Sequence, residues 1–199
     1  MSPDFSPDVT PDARAARATH LLTVSGSLRA VSSNGAVLDA AAALAPAPVR
    51  VTRFDGLADL PAFNPDLDGE GAVPAPAVAR WRAAIAGADA LMICSPEYAH
   101  GVPGVLKNAL DWLVASGEFI GKPVAVINAS SRATHAWASL VETLRTMSAD
   151  VVLDASITLP LDGRGPHADV ILSDASLAAP LAAALDALVQ AARRSPRQT

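Results

Sequence analysis

Residues 20–34 read HLLTVSGSLRAVSSN, and the order of chemistry in this stretch decides the fold. Leu21, Leu22, Thr23 and Val24 form a short aliphatic and β-branched run, as in a strand. A turn rich in hydroxyls follows, and from Ser33 to about Ala45 the apolar residues recur at helical spacing until Pro46 and Pro48 stop them. Strand, polar turn, helix is the unit of an α/β domain with a parallel sheet, and outward from here the unit recurs to make five. Val49–Phe54 alternates as an outer strand does. A Pro/Gly/Asp-rich loop spans 56–76, long enough to suspect a function, before Val78, Trp81 and Ile85 mark a second helix. Residues 88–95 are apolar almost throughout, as a central strand covered on both faces must be. A helix over 104–114 precedes a strand at Pro123–Ile127, and Trp137, Leu140, Val141 and Leu144 share one face of a fourth helix. The fifth strand is expected at 151–157. The last helix carries Leu177, Leu181, Leu185, Leu188 and Ala192, with Pro180 tolerable near its start.

The domain is expected over 19–194, with a flexible leader at 1–18 and a frayed terminus at 195–199. A chain of 199 residues fits one core, and 51% hydrophobic against 18% charged residues is a globular composition. The net charge of −5, without runs of Lys or Arg, argues against nucleic acid as a partner. No uninterrupted apolar run reaches the roughly 18 residues of a membrane helix, and the first residues lack the apolar core of a secretory signal, so a cytoplasmic protein is expected. The one cysteine, Cys94, lies in the apolar run ALMIC and reads as packing, and no residue cluster suggests a metal site.

In open parallel sheets ligands gather beyond the carboxyl ends of the strands. After the first strand, Ser25, Ser27, Ser32, Ser33, Asn34 and Arg29 surround a helix start, where free N–H groups and the helix dipole favour an anion such as phosphate. The plainer alternative is helix capping by Ser32 or Ser33. Neither a Gly-x-Gly-x-x-Gly turn nor a Walker loop is present here. After the third strand, two prolines and two glycines shape residues 95–104, with Tyr98, the chain's one tyrosine, as an apolar wall for a flat ring. His100 in this loop is either a proton donor or nicotinamide contact or, more simply, a solvent-facing residue; His20, His135 and His167 read as structural.

Gly26-Ser27-Leu28-Arg29 with Ser32 and Asn34, then Pro96-Glu97-Tyr98 and the run Pro103 to Leu113 (PGVLKNALDWL), resemble the NADPH-dependent FMN reductase family. The resemblance covers His20 to Ile157, and Leu60 to Asn64 (LPAFN) also looks family-like. It implies a flavodoxin-like three-layer α/β sandwich with a five-stranded parallel sheet of order 2-1-3-4-5. It also implies FMN as cofactor, with Ser27, Arg29, Ser32 and Asn34 on the phosphate and Pro96, Glu97 and Tyr98 along the isoalloxazine ring. Where the family usually continues with Asn this chain has Ala99, so a backbone contact alone is expected there. Ser130, Ser131 and Arg132, after the fourth strand, resemble the second flank of the flavin, although glycines common in the family near Ala133 and Thr134 are missing. Arg132 either meets the nicotinamide nucleotide's phosphates or pairs with a carboxylate.

The implied activity is hydride transfer from NADPH or NADH to FMN, then electron transfer to a small-molecule acceptor: free flavin, a quinone, an azo compound or a metal oxyanion. It requires no protein nucleophile, in keeping with the absence of a Gly-x-Ser-x-Gly or His-Glu-x-x-His motif. The rivals are a flavodoxin-type electron carrier that oxidises no pyridine nucleotide and a flavin-free relative. The helix over 104–114 carries two apolar faces, Leu106, Leu110 and Leu113 on one and Val105, Ala109 and Trp112 on the other. The second is expected either to join subunits, as in the homodimers or homotetramers of the family, or to let Trp112 fold back under a loop.

Overall fold

The computed structural model describes residues 18–195. Its sheet contains β1 (Thr19–Ser25), β2 (Val49–Phe54), β3 (Ala90–Cys94), β4 (Pro123–Ile127) and β5 (Asp150–Val151). All neighbours pair parallel, in the order β2-β1-β3-β4-β5, so the expected flavodoxin-like topology is observed. Every residue of β3 and β4 is buried, which is why those segments read as continuous apolar runs. Between the strands lie α1 (Ser33–Leu44), α2 (Pro76–Gly87), α3 (Gly104–Asp111) and α4 (Thr134–Thr146), with α5 (Ala168–Leu172) and α6 (Ala175–Arg194) after the last strand.

Two cores flank the sheet. One gathers Leu22, Val24, Leu91 and Ile93 from the strands with Trp81 and Ile85 of α2, Leu106 and Leu110 of α3 and Leu140 and Leu144 of α4. The other gathers Leu21, Met92, Cys94 and Ile127 with Val37 and Leu38 of α1, Ile171 of α5 and Leu181, Leu185 and Leu188 of α6. Successive strand residues thus serve opposite faces, as the pleat demands. Among the described residues α6 is the helix long and apolar enough to cross a membrane, but its Leu177, Leu181, Leu185 and Leu188 are buried against the sheet, as in a core helix.

The expected fifth strand at 151–157 is shorter. β5 pairs through Asp150 and Val151, and the chain then turns through a 3-10 segment, Leu153–Ala155. The Ser156 hydroxyl accepts the Val126 N–H at 3.0 Å where a strand carbonyl would have done so, and donates to the Val152 carbonyl at 2.9 Å. Pairing resumes as an isolated bridge between Asn128 and Thr158. A side chain replaces a rung of the ladder there. The leader expected at 1–18 lies outside the described residues except for Ala18, and of the frayed terminus at 195–199 only Ser195 is described.

Trp112 settles the two readings of its face. It is 1% exposed, its indole N–H donates to the Pro61 carbonyl at 2.9 Å, and it meets Phe63 edge to face at 5.0 Å. Asn108, one turn earlier, accepts from Phe63 N at 2.8 Å and donates to Pro61 O at 2.9 Å. Trp112 has therefore folded back under the loop. Ala109 on the same face is buried too, whereas Val105, its third residue, stays half-exposed. Residues 61–63 and the helix run KNALDW are two halves of one strap, and the long loop is held to the fold rather than free.

Candidate functional site

Gly26 opens the site. Its N–H donates to the Cys94 carbonyl at 2.9 Å, and a Cβ on it would stand 2.4 Å from the Ser95 hydroxyl oxygen. Only glycine lets the turn after β1 press against the end of β3. Beyond it the Ser25 hydroxyl accepts from Ser27 N at 3.2 Å, and the Ser27 hydroxyl accepts from Arg29 N at 3.3 Å, so the turn is braced by its own side chains. Ser32 caps α1, accepting from Gly35 N at 3.0 Å. Capping, the plainer of the two expected roles, is thus present, and the Ser32 hydroxyl proton is still available to a ligand.

Asn34 is buried, and its carbonyl oxygen accepts from the Cys94 thiol at 3.3 Å. Burial pushes that thiol far above its ordinary range, with Arg53 opposing the shift weakly, so Cys94 stays neutral and is no nucleophile. The packing role expected for it agrees with the geometry.

The loop after β3 is bent by a two-residue turn. Tyr98 and Gly101 exchange backbone bonds, Tyr98 N to Gly101 O at 3.1 Å and Gly101 N to Tyr98 O at 2.9 Å. The two residues at its tip, Ala99 and His100, have φ of 49° and 59°. Positive φ at both is the mirror-image turn that favours Asn and Gly, so two ordinary side chains here sit in strained backbone. This is the physical sense of the Asn that the family usually carries where this chain has Ala99. His100 stacks on His135 of α4 with ring centroids 4.3 Å apart. Tyr98 is 54% exposed, its ring uncovered as a platform would be.

Glu97 reaches across to α4. Its carboxylate accepts from Ala136 N at 2.8 Å, at a helix whose N-cap, Ala133, has no side chain able to cap it. Charge and dipole agree there. In the loop after β4, Ser130 and Ser131 turn their hydroxyls to Asp162, at 2.8 and 2.7 Å, and Ser131 N donates as well at 3.1 Å. These bonds hold the Asp162 carboxyl below its ordinary range, with Arg132 contributing least at 4.0 Å. Of the two roles expected for Arg132, the carboxylate neighbour is the one on view. Asp162 was not anticipated from the sequence; its signal is a lone acid just before the Gly163 turn. Of the remaining histidines, His20 is structural, bonding Gly87 O and Thr52 Oγ1, while His167 is exposed before α5 and its side chain does not cap that helix.

The three loops enclose a cavity of about 520 Å³ lined by Asn34, Pro96, Glu97, Ser130, Arg132 and Asp162 together with Ser33, Ser95, Asn128, Ala129, Ala133, Leu161 and Gly163. That volume suits a small organic molecule or cofactor. A second cavity of about 300 Å³ lies on the β2 side of the turn, and Ser27, Arg29 and Ser32 line it. The expected phosphate residues therefore divide, with Asn34 on the larger cavity and the other three on the smaller. Pro96 and Glu97 line the larger cavity, whereas Tyr98, Ala99 and Ser131 do not. Among the described residues no group of three or more His, Cys, Asp or Glu could hold a metal ion.

Known proteins resemble this chain in sequence and in fold. The family model described as NADPH-dependent FMN reductase matches residues 19–162. The chain is 42% identical over 113 residues to the NAD(P)H-dependent FMN reductase PA1204 of Pseudomonas aeruginosa, covering 56% of this chain and 60% of that protein. It is 38% identical over 112 residues to a quinone reductase of Escherichia coli K12, covering 55% and 59%. It therefore spans about 60% of the length of these curated relatives. Among solved structures, the NAD(P)H:(acceptor) oxidoreductase FerB of Paracoccus denitrificans superposes with a TM-score of 0.71 at 26% identity, covering 89% of this chain and 98% of that one.

Proposed function

The chain belongs to the NADPH-dependent FMN reductase family, and from that premise we propose that it is an FMN-containing oxidoreductase driven by NADPH or NADH. The observation that carries this reading is the meeting of three loops at the carboxyl ends of β1, β3 and β4, with a cavity of about 520 Å³ on Asn34, Pro96, Glu97 and Ser130 and a second of about 300 Å³ on Ser27, Arg29 and Ser32. When bound, FMN supplies the redox chemistry, accepting a hydride from the nicotinamide and yielding the electron pair to free flavin, a quinone, an azo compound or a metal oxyanion.

The fit is a matter of donors and space. Ser27, Arg29, Ser32 and Asn34 bring hydroxyl, guanidinium and amide donors around the first turn of α1, where the dipole already favours a dianion. Pro96 and Glu97 wall the larger cavity, and Tyr98 offers its exposed ring beside it. Ser130, Ser131 and Arg132 form the opposite flank, pinned to Asp162. Ala99 contributes backbone alone. The protein's work is to bind, orient and leave one face open; no side chain is asked to form a covalent bond.

A cytoplasmic location, small-molecule substrates and self-association as a homodimer or homotetramer belong to the same proposal. With Trp112 buried, a subunit contact near α3 would draw on the half-exposed Val105 and on exposed positions such as Lys107 and Val114.

Anaerobic titration tests the reading. Protein loaded with FMN is expected to bleach with NADPH or NADH and to regain its colour on adding a quinone. Flavin uptake without pyridine-nucleotide oxidation would instead favour the electron carrier, and failure to take up FMN a flavin-free relative.

A further inference from the structure

We infer that Arg53, on β2, is a second cationic ligand for the phosphate of the flavin nucleotide and sets the preference for FMN over riboflavin; this rests on the FMN reading above. The smaller cavity, about 300 Å³, is lined by Ser27, Arg29 and Ser32, three of the residues carried over as phosphate ligands, and by Arg53. Nothing in the motif pattern marks Arg53, which sits in the alternating outer strand. Register brings it there, since Arg53 pairs with Thr23 and so lies level with the end of β1.

The guanidinium is held in place from one side. Its Nη2 donates to the Gly35 carbonyl at 3.0 Å and pairs with Asp39 at 3.0 Å, both on α1. Its Nε is buried and has no hydrogen-bond partner. A buried charged donor without an acceptor is costly and uncommon in a native fold. The side chain as a whole lines the cavity and keeps 27% exposure, so a phosphate oxygen there meets the exposed part of the guanidinium and is an acceptor of the right charge. Arg29, by contrast, is exposed and makes no ion pair among the described residues. One guanidinium is thus positioned beforehand and the other is free to close over the ligand. Asp55 is the carboxylate on this lining beside the two guanidinium groups, and Asp39, which pairs with Arg53, lies off it.

Dissociation constants for FMN and for riboflavin, read by quenching of flavin fluorescence, test the inference. The two ligands share their ring and ribityl chain and differ in the phosphate. Arg53→Gln is expected to weaken FMN by about tenfold or more while changing riboflavin by less than about twofold, the loss of a charge-assisted bond. Equal losses for both flavins would reduce Arg53 to a structural role and overturn the inference. An unchanged ratio in Arg53→Gln beside a reduced one in Arg29→Gln would also overturn it, leaving the FMN reading intact. A wild-type protein that binds neither flavin would sink that reading and the inference together. Should Arg53→Gln fail to fold, Arg53→Lys decides: it keeps the charge but loses the planar fork, and it is expected to lower the FMN-to-riboflavin preference by about threefold or more, whereas an unchanged preference would overturn the assignment.

Discussion

The carboxylate of Glu97, in the loop after β3, accepts the backbone N–H of Ala136 in the first turn of α4 at 2.8 Å. A residue of one loop thereby caps the helix that follows the next strand, and two walls of the larger cavity are joined by a single bond. Glu97→Ala is expected to cost about 1 kcal/mol of stability, the usual value of an N-cap, and Glu97→Gln less, because an amide oxygen still accepts. Urea denaturation of the three proteins measures both.

Ala99 and His100 hold positive φ at the tip of the Tyr98–Gly101 turn. Asn and Gly enter that region with less strain than Ala. Ala99→Asn and Ala99→Gly are each expected to stabilise the protein by about 0.5–1 kcal/mol. A higher melting temperature in the absence of flavin checks this, and a lower one would show that the strain lies elsewhere.

Asp162 is held below its ordinary carboxyl value of 3.8 chiefly by Ser131 and Ser130. A depressed value in the folded state means that the contact contributes fully above the ordinary value and is lost as acid titrates the carboxylate. Amide exchange in residues 130–133 is therefore expected to be slow at neutral pH and to quicken, relative to the rest of the fold, below about pH 4. In Asp162→Asn the same amides should exchange quickly at both.

Cys94 behaves in the opposite sense. Its folded-state value is raised above 9.0 by burial, so its contribution is complete below that pH and falls as the unfolded chain ionises above it. The stability gap between wild type and Cys94→Ala is expected to narrow from about pH 8 to about pH 10.5. Lys122, which burial holds below its ordinary value, acts in the other direction but is common to both proteins and cancels from the difference. Native protein should also resist thiol reagents that label it at once in denaturant.

Trp112→Phe removes the indole bond to Pro61 and is expected to cost about 1 kcal/mol, with faster amide exchange in residues 57–64. Sedimentation should show the association state of wild type unchanged, since this side chain faces the chain's own loop.

Strand identity could be read from the sequence because β3 and β4 are buried on both sides and carry unbroken apolar runs, a signal that depends on the strands alone, whereas their order followed only from the resemblance to the reductase family. β5 could not. Its last rungs pass to the Ser156 hydroxyl, and whether a serine bonds its own turn or a neighbouring strand depends on residues far away in the chain. α5 is only five residues long, too short to show a period, and is held by Ile171 against the core. At the site, the residues around Gly26 were legible as a turn before a helix. Arg53 and Asp162 were not, since each joins the site through the register of a strand or the path of a distant loop.

Because Gly26 fits so tightly against Ser95, the walls after β1 and β3 are in effect one rigid jaw. The jaw opposite, running from Ser130 to Gly163, is fastened by exposed polar contacts. Under the proposed flavin reading, any give in the larger cavity is expected on that side, where exposed bonds to Asp162 exchange with water most readily.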